Sequence, residues 1–156
     1  MGQELRISFD TPEHGWLAIY LDSGDHHLEV PFSHTPVDFL SELVRALLNL
    51  SDGVDAEANC SYNPDRYEFR FRARDPNSQF DIASYPDYKN AEATGEVIFS
   101  FEGVALDICL AFWRGIRELQ GRVSPEEYEE GFHRDFPEKE TGLLTEKIKA
   151  SGGVRR

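Results

Sequence analysis

The chain has 156 residues, 40% hydrophobic and 29% charged, with a formal net charge of −13. That length suits one domain able to bury a core unaided, and the acidity excludes a nucleic-acid-binding surface, which needs basic side chains to displace counterions. No run approaches the ~18 apolar residues of a membrane-spanning helix, and the opening MGQELRISFD holds no apolar signal stretch, so a cytoplasmic protein is expected.

Leu5, Ile7 and Phe9 alternate with Glu4, Arg6, Ser8 and Asp10, the period-two pattern of a half-buried strand. After a turn at Thr11 to Gly15, Trp16 to Leu21 reads as a second strand, apolar on both faces. Asp22-Ser23-Gly24-Asp25 reads as the hairpin into a third strand, His26 to Phe32. A helix start follows, with Thr35 as N-cap, Pro36 at the first position and Asp38 three residues after the cap. Leu40, Leu43, Val44 and Leu47 form its apolar stripe, widened by Phe39 and Leu48, and Gly53 is its stop.

Val54 to Tyr62 predicts a fourth strand with Ala56, Ala58, Cys60 and Tyr62 on one side, and Asn63-Pro64-Asp65-Arg66 a tight turn. The fifth strand sets Tyr67, Phe69, Phe71 and Ala73 against Glu68, Arg70, Arg72 and Arg74. Asp75-Pro76-Asn77 turns into a sixth strand around Phe80 and Ile82, and a polar loop from Pro86 to Gly95 leads to a seventh with Val97, Phe99 and Phe101 inward. The period then becomes helical: Ala105, Ile108, Cys109, Phe112, Ile116 and Leu119 share a stripe that Leu106, Leu110 and Trp113 widen, and Gly121 ends it. Ser124-Pro125-Glu126-Glu127 is a capping box opening a short acidic helix with Tyr128 and Phe132, which Phe136-Pro137 breaks; Leu143, Leu144 and Ile148 mark a last amphipathic piece.

These elements predict an α+β fold: one antiparallel sheet of about seven strands, in the order βββ-α-ββββ-α-α, with helices packed mainly on one face. A single domain spans residues 1–150, and 151–156 form a disordered tail.

The sequence offers little chemistry. Cys60 and Cys109 stand in apolar periodic positions, where a thiol stays protonated and inert, and no CxxC pair, GxSxG, GxGxxG or HExxH occurs. His26 and His27 are adjacent on a strand and point to opposite faces, while His14 and His34 fall in turns, so no metal site is expected. Asp107, among Ala105, Leu106 and Ile108, is either a buried functional acid or, the reading favoured here, a first-turn complement to the helix dipole. No catalytic residue, cofactor or metal is assigned, and a non-enzyme is the expectation.

Arg66, Arg70, Arg72 and Arg74 form the densest basic feature. A hairpin placing Tyr62 opposite Tyr67 and Cys60 opposite Phe69 would set Glu57 across from Arg72, Asp55 across from Arg74 and Asp81 across from Arg70, which makes the stripe a charge-paired sheet surface. Acidity is uneven: residues 1–103 carry 7 basic and 19 acidic side chains, residues 104–156 carry 9 and 10. One row breaks the alternation of apolar and charged residues. With Leu17, Ile19 and Leu21 inward, Trp16, Ala18 and Tyr20 share the outer face with His27 and Glu29. The C-terminal aromatics Tyr128, Phe132 and Phe136 are expected to cover it; otherwise it is a partner surface. The candidate partner residues are Trp16, Tyr20, His27 and Glu29, with the acidic positions Asp22, Asp25, Asp52 and Asp55.

The run Tyr128-Glu-Glu-Gly-Phe132-His-Arg-Asp-Phe136-Pro137, followed by Leu143-Leu144, together with His14-Gly15-Trp16 and Pro36-Val37-Asp38-Phe39-Leu40, resembles small acidic bacterial proteins of uncharacterised families, some of them immunity proteins against toxins. The resemblance implies an α+β fold and a protein partner, and carries over no catalytic residue. The leading expectation is a non-enzymatic interaction domain for a basic protein partner such as a toxin. The alternatives are a small-molecule binder or minor enzyme with a pocket between the sheet and the long helix, and a structural homodimer subunit paired through a sheet edge.

Overall fold

The structure is a computed structural model of the chain and describes residues 4–62, 65–85 and 95–152. Among these residues the elements run β1 (Arg6–Phe9), β2 (Trp16–Asp22), β3 (His27–Ser33), α1 (Phe39–Ser51), β4 (Ala56–Tyr62), β5 (Asp65–Arg72), β6 (Ser78–Tyr85), β7 (Glu96–Gly103), α2 (Ala105–Arg122), α3 (Pro125–Phe132) and α4 (Glu138–Ala150). The class is α+β with antiparallel pairing throughout, but three helices rather than two follow β7. The polar-loop expectation at residues 86–94, the turn residues 63 and 64, and the tail residues 153–156 lie outside the described residues.

The expected single sheet is divided in two: a three-stranded meander, β1-β2-β3, and a four-stranded one, β4-β5-β6-β7. Strands β3 and β4 lie side by side without a ladder. The backbone explains the break. Ala18 donates its N–H to the Asp10 carboxylate (2.9 Å), and its carbonyl accepts from the Asp10 N–H (3.2 Å), so both groups face β1. Pro31, which faces Ala18 across β3, therefore turns its backbone away from β2 and presents a nitrogen without hydrogen to the β4 side. On β4, the Asn59 N–H already donates to Glu42 Oε1 of α1 at 2.9 Å. Each edge thus carries a backbone position that cannot extend a ladder to the other.

Two registers also differ from expectation. Cys60 pairs with Tyr67 and Ala58 with Phe69, because the turn closes after the Tyr62–Asp65 pair. The shift is by two residues, so each side chain keeps its face while the cross-strand partners change: Glu57 faces Arg70, not Arg72. Arg70 faces Asp81 as expected. Between β6 and β7 the register slips after the Ile82–Phe99 pair, and Ala83 meets Val97. Ile98 is the extra residue of this bulge, and Val97, expected inward, is 48% exposed.

The helices close the inner faces of both sheets. Phe39 of α1 sits 4.7 Å from Phe32 of β3 and 4.7 Å from Phe69 of β5, ring centre to ring centre. Phe112 of α2 lies edge-on to Phe71 (5.6 Å) and Phe80 (5.2 Å). One apolar cluster therefore runs through both sheets, and each fully buried aromatic or aliphatic side chain in it contributes roughly 1.5–3 kcal/mol. Gly115 lets α2 cross β1 closely, for a Cβ there would stand 2.7 Å from the Ile7 carbonyl oxygen. Arg122 fixes the far end of α2 by donating to the Phe9 carbonyl (2.7 Å) and the Thr11 hydroxyl (2.9 Å).

The helix ends follow local chemistry. The cap of α1 is Asp38 rather than Thr35: its carboxylate accepts from the Ser41 N–H (3.4 Å) and hydroxyl (2.9 Å), which starts the helix three residues later than expected. Gly53, at φ +79°, stops it. The capping box of α3 forms as read, with Ser124 and Glu127 hydrogen-bonded reciprocally. Gly121 lies inside α2, which ends one residue later. On α4, Leu144 and Ile148 are buried, whereas Leu143 faces outward.

Candidate functional site

Period two and the observed register place one row of residues on the outer face of the three-stranded sheet. From β2 come Trp16, Ala18, Tyr20 and Asp22; facing them on β3 are Ser33, Pro31, Glu29 and His27, and on β1 Ser8 and Arg6 face Tyr20 and Asp22. Trp16 is 39% and Tyr20 37% exposed. The expected cover by the C-terminal helices is overturned. The α3 segment docks instead on the β1–β2 turn, where the Gly15 N–H donates to the Gly131 carbonyl at 2.7 Å. Its aromatics turn into the core: Phe132 lies 5.6 Å from Phe32, and Tyr128 packs on Phe132 and Phe136 at 5.5 and 5.2 Å.

Acids surround the row. Glu29 stands directly across from Tyr20, and Asp10 accepts from the Ala18 N–H beside it. Partial burial, then the charges of Asp10 and Glu29, push the Tyr20 hydroxyl above its ordinary pKa. Asp22 accepts from the Gly24 N–H (2.9 Å), holding the hairpin turn, and pairs with His27 Nδ1 at 3.1 Å. Arg6, Ser8, Tyr20, Asp22, His27 and Glu29 line an open groove of about 550 Å³ on this face. Asp25 is exposed at the turn beside it.

Asp52 and Asp55 belong to a different junction. Asp52 pairs with Lys147 of α4, and Asp55 accepts from the Ala73 N–H (2.7 Å) and pairs with Arg74 (3.5 Å). The structure thus gathers Trp16, Tyr20, Asp22, His27 and Glu29 on one face and uses Asp52 and Asp55 to join α1 and β4 to their neighbours. Asp10 was missed as a site residue, because on the strand pattern it looked like one more outward charge.

The arginine stripe on the outer face of the four-stranded sheet is internally paired. Arg70 donates to Glu68 Oε1 (2.6 Å) and the Tyr85 hydroxyl (2.7 Å). Arg66 lies 4.0 Å over the Tyr85 ring centre and donates to Asn59 Oδ1 (3.3 Å). Asp81 accepts from Gln79 (2.8 Å) and Ser100 (2.7 Å). Glu57 and Glu68 touch. Burial and then Glu68 raise the Glu57 pKa; at Glu68 burial opposes ionisation, but its hydrogen bonds from Arg70 and Glu57 and the charges of Arg70 and Arg66 leave the pKa lowered.

Burial pushes the Cys60 thiol far up and that of Cys109 up to about 12, so neither is a nucleophile near neutral pH. Asp107 is exposed in the first turn of α2, which removes the buried-acid reading. His26 stacks on Phe99 with ring centres 5.1 Å apart. His34 Nδ1 lies 3.1 Å from the Gly15 carbonyl, and its ring meets that of His133 edge-on at 4.9 Å, a pairing across 99 positions that the sequence did not signal. No group of three or more metal-ligating side chains occurs among the described residues. Between the sheets and α2, phenylalanine rings fill the interior. The hollow at its rim, bordered by Leu5, Phe101, Asp107 and Arg114, measures about 270 Å³, below the roughly 300–1,000 Å³ of ordinary ligand pockets. No helix among the described residues is long and apolar enough to cross a membrane.

Comparison of the chain with protein-family models, curated proteins and solved structures finds no match.

Proposed function

We propose that the chain is a non-enzymatic interaction domain that binds a basic protein through the outer face of its three-stranded sheet. The observation that carries this reading is the partial exposure of Trp16 and Tyr20 on the outer face of β2, with Asp10, Asp22 and Glu29 close to Tyr20. A tryptophan and a tyrosine supply contact area at little cost in side-chain entropy, and rings of this kind dominate interface energetics. The surrounding acids, in a chain of net charge −13, attract a basic partner over long range and raise its association rate. A toxin is one basic protein that such a face would suit.

The test is capture from its host at low salt with three tagged chains: wild type, the double variant Trp16→Ser/Tyr20→Ser, and a control carrying Asp52→Ser/Asp55→Ser. A basic protein held by wild type and control, released by raised salt and lost from the Trp16/Tyr20 variant, is the expected result. A partner retained equally by all three, or none retained by any, overturns the reading.

A further inference from the structure

The two sheets each carry a tyrosine on the outer face with a glutamate nearby, but among the described residues one of the two rings is matched by a cation and the other is not. On the four-stranded sheet Arg66 lies over Tyr85, and Arg70 bridges Tyr85 and Glu68. On the three-stranded sheet Tyr20 has Glu29 directly opposite and Asp10 just past the end of the neighbouring β1, and no described arginine or lysine lies over it. Arg6, which borders the same groove, is paired with Glu4 at 3.4 Å.

We infer that the partner is anchored here by an arginine whose guanidinium lies on the Tyr20 ring and donates to Glu29 and Asp10. This inference rests on the protein-binding reading above. The relief of the face fits a long side chain. Beside Tyr20 lies the open groove of about 550 Å³, bordered by Tyr20 and Glu29, with room for such a side chain. Burial and then the charges of Asp10 and Glu29 raise the Tyr20 pKa, and those two charges are the ones such a cation would meet. Arginine is favoured over lysine by geometry: a planar guanidinium stacks on a ring and still donates in its plane to two carboxylates, whereas an ammonium is a compact, strongly hydrated point charge.

The test is an NMR titration of the full chain with two peptides of equal charge, acetyl-(Gly-Arg)4-amide and acetyl-(Gly-Lys)4-amide. The expected result is saturable shifts centred on the Tyr20 ring, with the arginine peptide binding more tightly. Tyr20→Leu weakens it about two- to fivefold, the size of one exposed cation–ring contact. Tyr20→Phe, which keeps the ring, binds like wild type, and Glu29→Gln weakens binding without disturbing the fold. Equal affinity for both peptides, or a Tyr20→Leu chain that binds like wild type while the shifts stay on this face, overturns the arginine anchor and leaves the protein-binding reading standing. Shifts centred on another surface, or none at millimolar peptide, overturn both.

Discussion

The outer faces of the two sheets are made from the same kinds of residue and use them in opposite ways. On the four-stranded sheet, arginines, carboxylates and Tyr85 are set against each other until few charges point only at water. On the three-stranded sheet, Trp16 and Tyr20 stand exposed among acids, with Arg6 at the margin. A self-satisfied face contributes to stability and has little left to offer a partner. A face that shows Tyr20 beside Glu29, with no described arginine or lysine over the ring, stabilises the fold less and leaves interactions to be completed by another molecule.

The largest effect expected from testing this contrast is at Arg70. Arg70→Ala strands the half-buried Glu68 carboxylate and should cost about 2–3 kcal/mol in urea unfolding. Equal stability of variant and wild type would mean that the paired face is only decoration. Next is the division between the sheets: Glu42→Ala leaves the Asn59 N–H of the β4 edge without its acceptor, for a loss of about 1–2 kcal/mol and faster hydrogen exchange at that amide.

The two glutamates on the paired face should then act with opposite sign. The Glu68 pKa is lowered from 4.5, so its contribution is present above that value and lost as pH falls through the folded-state pKa; Glu68→Gln should flatten the acid limb of the stability curve. The Glu57 pKa is raised from 4.5, so its ionised form opposes folding above the raised value, and that penalty disappears as pH falls; Glu57→Gln should stabilise the chain at pH 7 by a few tenths of a kcal/mol, about the worth of a surface pair. Smallest of all, Glu29→Gln, at an exposed position, should change the unfolding free energy by no more than about 0.5 kcal/mol while weakening partner capture. A large loss of stability there would erase the contrast.

Much of the fold was legible because periodicity is local. The alternation through Phe69, Arg70, Phe71 and Arg72 and the stripe through Ile108, Phe112 and Ile116 each needed only their own segment to declare a buried side, and the structure buries those sides. The capping box at Ser124 was equally self-contained. The candidate face was legible as an anomaly: Trp16 and Tyr20 broke the alternation. Whether anything covered them was not, since that depended on where α3 docks, and α3 is anchored by the Gly15–Gly131 hydrogen bond, between residues far apart in the chain.

By itself the sequence determined where the strands and helices lie to within a few residues, which side of most of them faces inward, and that the chain is acidic over its first two-thirds, because these follow from side-chain size, polarity and spacing along a few turns or strand repeats. Only the tertiary structure decided that the sheet divides between β3 and β4, since this turned on the direction of the Pro31 backbone and on Glu42 reaching Asn59. It likewise decided that Arg66 and Arg70 find Tyr85 while no described arginine or lysine lies over Tyr20, because such pairings are set by register and packing between strands.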